Sequence, residues 1–304
     1  MTKTAEELRI AAVPWVLARV LVLGALALTR HVVTTLPVSP RPLQAHQGLF
    51  AWDAAFYRDI AHGGYDAVPK LGLRFFPLVP LLGRLVGLLP GVSTDIGVLV
   101  VVNASALVAG VLIVRLVRNE TGDMELARRA AWLIALAPPA FVAVMGYAEA
   151  TLMALALAMA LALRSQRWGW AILFGYLAGL ARPVGVLLVA FALVAVWIAK
   201  APRARVLQVA AVCSPVAGLF SYLLWVRNRT GDLFYAFHAQ ENPHLRGTAV
   251  NPIANIDHAT RELFSGDRFG SGLHAITLLV LVVLLVVLVR SWPWPYTAYA
   301  FAAL

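Results

Sequence analysis

Residues 75–90 read FFPLVPLLGRLVGLLP, and the way this apolar stretch meets a lipid bilayer decides the topology of the whole chain. Its prolines interrupt helical hydrogen bonding, and it carries the charge of Arg84. Two interpretations are open: the stretch spans the bilayer, or it lies at the surface or re-enters. The basic residues elsewhere in the chain decide between them.

The basic residues lie mainly in short loops between apolar segments, as in membrane proteins that keep Lys and Arg on the cytoplasmic side. If 75–90 spans, the loop from Arg115 to Arg129 falls outside, against this rule. If it does not span, one set of basic groups shares the cytoplasmic side: Lys3, Arg9, Arg115 to Arg129, Arg164, Arg167, Lys200 to Arg205 and Arg290. We therefore predict that 75–90 is a surface or re-entrant segment.

The composition excludes a water-soluble globule. Of the 304 residues, 61% are hydrophobic and 13% are charged, whereas soluble domains have about 25% charged residues. The net charge of +10 follows from the basic loops, so it does not indicate nucleic-acid binding. We predict an all-α polytopic protein of the cell membrane, a single transmembrane domain over 1–304, with eight apolar segments long enough or nearly long enough to span: 10–29, 95–114, 130–146, 148–163, 168–181, 183–199, 206–226 and 273–289.

This layout predicts two long loops on the outer face. The first covers 30–94 and carries interfacial helices, one of them amphipathic over Trp52 to His62 with Trp52, Phe56 and Ile60 on one face. Spanning helices fill 95–226, and the second outer loop covers 227–272. The last full span is 273–289, and the remaining Trp292 to Leu304 is too short to cross.

Asp53 is the first candidate for chemistry, since it follows the first helix at the level of the headgroups. Partial desolvation beside aromatic residues would make its carboxylate a stronger base. The alternative is a helix N-cap, because Asp before an amphipathic helix is common. Both interpretations are open at this point.

Two further charges lie at tight outer corners. Glu149 follows Tyr147 inside an apolar hairpin, either as a functional ionisable group or as a Glu favoured at a helix start. Arg182 precedes Pro183 on the outer side, against the positive-inside bias. Its guanidinium suits the phosphate of a lipid carrier, although an Arg whose side chain reaches the interface from a helix end is the alternative.

The second loop contains His238, Gln240 and His244. The two histidines lie six residues apart, which is not a standard zinc spacing, and the only cysteine is Cys213 in an apolar run. We predict no metal site, leave a divalent cation open, and expect these side chains to recognise a sugar or headgroup unless the loop is merely solvated. Phosphate-binding glycine loops are absent from the sequence, which argues against ATP hydrolysis.

Taken in order, these residues resemble the PIG-V-type mannosyltransferases of the GT-C glycosyltransferases, which use polyprenyl-phosphate sugars. The chain repeats the family pattern W-D-x-x-x-Y-x-x-I-A-x-x-G-Y from Trp52 to Tyr65. Further similar segments follow over about 50–240: Phe75-Phe76-Pro77, Tyr147-Ala-Glu149, Ala181-Arg182-Pro183 and Gly231 to Gln240. Family members usually continue through more C-terminal helices.

The resemblance implies a GT-C-like bundle that transfers mannose from polyprenyl-phosphate-mannose to a lipid-linked or glycolipid acceptor. Asp53 corresponds to the proposed base, and Trp52, Tyr57, Tyr147 and Glu149 become candidate substrate-binding residues. The rival hypotheses are a flippase of lipid-linked sugars and a non-catalytic subunit. Against transport, the segments carry almost no midplane charge except Arg19, and no internal repeat is evident.

Overall fold

A computed structural model describes residues 2–35, 44–199, 204–241, 261 and 269–303. Over this part of the chain every regular element is helical and no strand occurs. Short 3-10 turns connect the α-helices at several corners, among them Lys70–Arg74, Pro138–Ala143 and Pro183–Leu187. The α-helices are α1 Lys3–Thr35, α2 Gln44–Gln47, α3 Ala54–Gly63, α4 Leu78–Val86, α5 Thr94–Thr121, α6 Met124–Leu136, α7 Glu149–Arg164, α8 Trp168–Ala181, α9 Leu188–Ala199, α10 Arg205–Thr230, α11 Tyr235–His238, α12 Phe269–Ser291 and α13 Trp294–Ala303.

Among the described residues, three helices are long and apolar enough to cross a membrane: α1, α5 and α10, with 33, 28 and 26 residues. At about 1.5 Å per residue, each exceeds a hydrocarbon core of about 30 Å. The prediction of an all-helical protein with membrane-spanning helices is confirmed at this level. Helices α6 to α9 are shorter, with 12 to 16 residues, so the count of eight crossings stays a prediction.

Glycines allow close packing between α8 and α10. A Cβ atom added at Gly179 would collide with the Pro215 carbonyl, and one added at Gly218 would collide with the Tyr176 carbonyl. The absence of side chains therefore lets the two backbones touch, as is common between helices in lipid. This contact fixes the end of α8, where Arg182 lies.

The segment predicted as a helix over 130–146 is different in the structure. Helix α6 starts earlier, at Met124, and stops at Leu136. Ala137 is extended (φ −54°, ψ 146°) because the following Pro138 disfavours a helical backbone before it. The chain then makes a 3-10 turn through Ala143 and reaches Tyr147 without regular helix.

Residues 75–90 form no spanning helix. Helix α4 has nine residues, about 14 Å at 1.5 Å per residue, which is too short to cross. It buries Val79 and Gly83 against the protein and leaves Leu81 and Leu85 exposed. This is the amphipathic arrangement expected of a helix lying at an interface.

The predicted helix over Trp52 to His62 exists but starts two residues later and has a different buried face. Helix α3 buries Ala54, Tyr57 and Ile60, whereas Trp52 precedes it and is 55% exposed. Other bounds also shift: α1 and α10 extend into the predicted loops, to Thr35 and Thr230.

The ion pairs divide between the two ends of the long helices. At the end where α1 begins and α5 finishes, Glu7 pairs with Arg115 and Arg118. Glu120 of α5 pairs at the same end with Arg164 and accepts a hydrogen bond from Tyr296. We call this the basic end. The opposite end, where α8 and α10 finish, carries the site described next.

Candidate functional site

A cavity of about 280 Å³ opens between the first loop, the corners after Ala143 and Ala181, and the start of the second loop. It collects residues that are far apart in sequence. Five of them are candidates from the sequence: Asp53, Tyr57, Tyr147, Arg182 and Gln240. The remaining lining residues are Arg74, Phe75, Phe76 and Pro183.

Asp53 lies at the start of α3 but does not cap it. Its backbone is already helical (φ −62°, ψ −24°), and its side chain accepts no hydrogen bond from the first turn. Instead, Oδ1 accepts a hydrogen bond from Nη2 of Arg74 at 3.0 Å. Asp53 thus occupies the N-cap position without the side-chain hydrogen bond of a cap, and its half-exposed side chain (52%) lines the cavity.

Trp52, immediately before Asp53, has a positive φ of 57°. A bulky residue in this left-handed region costs about 1–3 kcal/mol, and such strain persists where surrounding structure enforces it. The indole is not among the residues that line the cavity. Its backbone turns the chain so that Asp53 begins α3 beside Arg74.

Arg74 is a cavity residue that the sequence analysis missed. Its guanidinium lies over the ring of Phe75 at 4.6 Å and near that of Phe56 at 5.7 Å. The side chain is 15% exposed, and its buried Nε has no hydrogen-bond partner among the described residues. In the sequence, only its position directly before the segment Phe75-Phe76-Pro77 could have identified Arg74 as a site residue.

Two tyrosines hold the backbone on either side of Arg74. Tyr222 of α10 donates to the carbonyl of Leu73 at 2.8 Å and to that of Phe75 at 3.1 Å. Tyr65 donates to the Phe75 carbonyl at 2.6 Å. The position of the Arg74 guanidinium is therefore set by a spanning helix as well as by the first loop.

Arg182 forms the second ion pair of the site, with Glu149. Arg182 ends α8 in an extended conformation, and Pro183 then starts a 3-10 turn. Burial opposes its charge, but neighbouring negative charges, including the carboxylates of Glu149 and Asp53, outweigh burial and raise the pKa of the guanidinium. Glu149 Oε2 is buried without a hydrogen-bond partner in the described part of the chain.

Tyr57 and Tyr147 form the aromatic wall between the two ion pairs. Burial raises the pKa of Tyr57, partly opposed by the charge of Arg182, and burial also raises the pKa of Tyr147 to about 12. Tyr147 donates to the Ala51 carbonyl at 3.4 Å, and the Tyr57 ring meets Phe75 edge-on at 5.2 Å. Both phenols are therefore neutral hydrogen-bonding groups at neutral pH.

The second loop contributes less than its sequence predicted. Gln240 lines the cavity, but His238 instead pairs with Asp232, with Nδ1 and Oδ2 2.8 Å apart. His244 lies outside the described residues. Within the described ranges, no group of three His, Cys, Asp or Glu side chains could hold a metal ion.

No family model, curated protein or solved structure matches this chain. The chemistry of the site therefore has to be argued from its own residues. One half-exposed carboxylate and two guanidinium groups face a single cavity, and a second carboxylate holds one guanidinium in place. This combination suits a ligand that brings both an anionic phosphate and a hydroxyl group.

Proposed function

We propose that the chain is an inverting glycosyltransferase of the cell membrane. It moves mannose from polyprenyl-phosphate-mannose to a lipid-linked or glycolipid acceptor on the extracytoplasmic face, with Asp53 as general base. The observation that carries this proposal is the meeting of Asp53, Arg74 and Arg182 in one cavity. A transfer from a lipid phosphate needs these two functions, a base and a cationic site for the departing phosphate.

The location of the cavity supports a lipid substrate. It lies at the end of α8 and α10, away from the basic end defined by Glu7, Arg115 and Arg118. By the positive-inside rule the basic end is cytoplasmic, which puts the cavity on the outer side. The exposed leucines of α4, Leu81 and Leu85, follow the lining residues Phe75 and Phe76 in sequence and would contact the lipid interface at this end.

The reaction is a single displacement at the anomeric carbon. The acceptor oxygen forms the new bond to that carbon while the bond to the phosphate oxygen breaks, so the configuration inverts. Asp53 takes the hydroxyl proton, and the electron pair of the broken bond leaves with the polyprenyl phosphate. Arg182 and Arg74 stabilise its charge, and phosphate needs no strong general acid to depart.

The identity of the sugar depends on the resemblance of Trp52 to Tyr65 to the mannosyltransferase pattern. Ligand pockets commonly range from about 300 to 1,000 Å³, and this cavity, at about 280 Å³, lies near the lower limit. Its volume therefore suits a headgroup rather than a whole lipid. Tyr57, Tyr147 and Gln240 supply neutral hydrogen-bonding groups of the kind that recognise sugar hydroxyls.

Transport of a lipid-linked sugar has less support. Arg19, the charge inside α1, donates to Asn103 Oδ1 at 2.8 Å and to the Ala143 carbonyl at 2.9 Å. The Arg19 guanidinium also lies over the ring of Trp15 at 4.2 Å, and this cation–π contact completes a local network between helices. These bonds account for the charge as a structural tie, so no substrate is needed to explain it.

The test uses the full chain in proteoliposomes with polyprenyl-phosphate-[¹⁴C]mannose and extracted membrane lipids as acceptors. We expect label in a new lipid product, and we expect Asp53→Asn to lower its rate by about 10²–10⁴. The matched control is Asp59→Asn, on the same helix, whose partner Arg58 lies 2.9 Å away and outside the cavity lining. Label that crosses the vesicle without transfer, or an Asp53→Asn variant as active as Asp59→Asn, would reject the proposal.

A further inference from the structure

The Arg74 guanidinium has more hydrogen-bonding capacity than the described residues use. A guanidinium has five N–H donors in a planar fork. Arg74 makes one described hydrogen bond, from Nη2 to Asp53, and its buried Nε has no described partner. Arg74 lines the same cavity as Arg182, so its guanidinium adjoins the space where the proposed headgroup would bind.

The ion pair also limits Asp53. Its Oδ1 oxygen accepts the hydrogen bond from Arg74 Nη2, so an acceptor hydroxyl that approached this oxygen would have to displace Arg74. A site that kept this pair throughout the reaction would leave one oxygen of the proposed base occupied.

Asp53 and Arg74 differ in how easily each can replace its partner when the ion pair breaks. Asp53 is 52% exposed, so water can replace Arg74 at its carboxylate, and ion pairs of exposed groups are weak. Arg74 is only 15% exposed and remains stacked over Phe75, so it keeps its position and needs a new anion. A phosphate offers a bidentate, doubly charge-assisted partner for that fixed fork.

We propose that the Arg74–Asp53 ion pair is a latch opened by a lipid-linked phosphate. Arg74 exchanges the Asp53 carboxylate for the phosphate, and Asp53 is released to accept the proton of the acceptor hydroxyl. Binding of the donor thus activates the base, and the base stays latched while the cavity holds no donor. The inference rests on the proposed site, but it concerns phosphate binding and can be measured without any sugar transfer.

Competition gives the latch a distinctive signature. The probe is an unsugared polyprenyl monophosphate, bound to the purified full chain in nanodiscs. Because Asp53 competes with the probe for Arg74, we expect Asp53→Asn to bind it about two- to fivefold more tightly than wild type. We expect Arg74→Gln to bind it about 10- to 100-fold more weakly, through loss of charge-assisted hydrogen bonds.

The double variant separates a latch from a general effect of charge. Removing any negative charge near the site favours an anion, but only competition through Arg74 disappears when Arg74 is absent. We therefore expect Asp53→Asn to change affinity little in the Arg74→Gln background. Asp59→Asn is the charge-matched control and should leave affinity unchanged, because the Arg58–Asp59 pair is outside the cavity lining.

Inorganic phosphate, used as a competitor, identifies the recognised group. Displacement of the probe with the same variant pattern assigns recognition to the phosphate alone, and binding of the polyprenyl form only assigns it to a phosphate presented by lipid. The latch is rejected if Asp53→Asn binds as wild type or more weakly, or if it tightens binding equally without Arg74. If Arg74→Gln fails to fold, as judged by its thermal melt, Arg74→Met takes its place in both the single and the double variant.

This outcome is separable from that of the proposed function. Tighter probe binding by Asp53→Asn, with no transfer by wild type, would keep the latch and reject the glycosyltransferase. Transfer by wild type, with no change in probe binding in Asp53→Asn, would keep the glycosyltransferase and reject the latch.

Discussion

The two ends of the helical bundle both contain paired carboxylates and arginines, but they satisfy those charges differently. At the basic end, Glu7 is fully buried and meets two guanidinium groups, from Arg115 and Arg118. At the cavity end, Asp53 is half exposed and accepts one hydrogen bond from Arg74. The same residue types thus form a multiply paired, buried cluster at one end and a singly paired, open one at the other.

A second pair of clusters repeats the contrast. Glu120 accepts two hydrogen bonds from Arg164, at 2.7 and 2.8 Å, and a third from Tyr296 at 2.7 Å. Glu149 holds Arg182 through one oxygen and buries the other without a described partner. Charges held by several partners contribute to the fold, whereas charges with a single partner beside a cavity can also bind a ligand.

The largest expected effect tests the basic end. Glu7→Ala removes the fully buried carboxylate shared by two partly exposed arginines, so we expect a loss of about 3–5 kcal/mol in the free energy of unfolding. Asp53→Ala, its counterpart at the cavity end, should lose less than about 1 kcal/mol. Denaturant unfolding in detergent measures both, and equal losses would remove the distinction between the ends.

The next effect concerns catalysis. Arg182→Gln removes a cation from the cavity, and we expect kcat/KM for mannosyl transfer to fall by about 10²–10³. Arg164→Gln is the matched change at the basic end, and folded protein carrying it should transfer at nearly the wild-type rate. Initial rates per folded molecule make the comparison. Similar losses in the two variants would mean that Arg182 acts only through the fold.

A smaller expected effect tests how α10 supports the site. Tyr222→Phe deletes the hydroxyl bonded to the carbonyls of Leu73 and Phe75, which should cost about 1–3 kcal/mol of stability. Tyr176→Phe is the control, because that hydroxyl donates to exposed Ser221 at 3.0 Å, away from the cavity lining. We expect its cost to be below about 0.5 kcal/mol.

Tyr222→Phe should also change catalysis through Arg74. The same variant should lower transfer per folded molecule, because the Leu73–Phe75 backbone positions Arg74, whereas Tyr176→Phe should not. Unfolding curves and initial rates are measured on the same preparations. Unchanged transfer in Tyr222→Phe would show that Arg74 is positioned without this hydroxyl.

The smallest effect is the pH dependence of the Asp232–His238 pair. The hydrogen bond with His238 lowers the pKa of Asp232, and the same bond raises that of His238. The pair therefore stabilises the fold fully at pH values between the ordinary pKa values of Asp and His, 3.8 and 6.5. It weakens as the pH falls through the lowered Asp232 value or rises through the raised His238 value.

Amide exchange of Tyr235–His238 measures this window. The protection factors there, which correct each rate for the intrinsic acceleration of exchange with pH, should be highest between those two values and lower at pH 8, and His238→Gln should remove that difference. A flat profile in wild type would mean that the pair adds nothing to the order of α11.

Much of this architecture could be predicted because hydropathy and charge are local properties. The apolar runs mark α1, α5 and α10, and the proline-rich stretch at 75–90 forms the short helix α4. The break after Leu136 was missed because Ala137 and the two prolines that follow continue an apolar run. Hydropathy does not register the loss of a backbone N–H.

The site was predictable where a residue was unusual for its place, as with Asp53 after the first helix and Arg182 on the outer side. Arg74 was missed because an Arg beside apolar residues in a loop is ordinary until its partner is known. Its pairing with Asp53 bridges 21 positions and depends on the hydroxyl of Tyr222, 149 positions from Leu73. Such contacts arise only from the packing of the loop on α10.

The leucine face of α4 has a kinetic consequence. Because Leu81 and Leu85 of α4 are exposed, as are Leu88 and Leu89 just after it, this segment would lie at the depth of the headgroups, at the same end of the bundle as the cavity. Donor and acceptor would then arrive by lateral diffusion within one leaflet, without leaving it. The rate of the proposed reaction would follow the surface fraction of each lipid, so diluting the vesicles at fixed lipid composition would leave it unchanged.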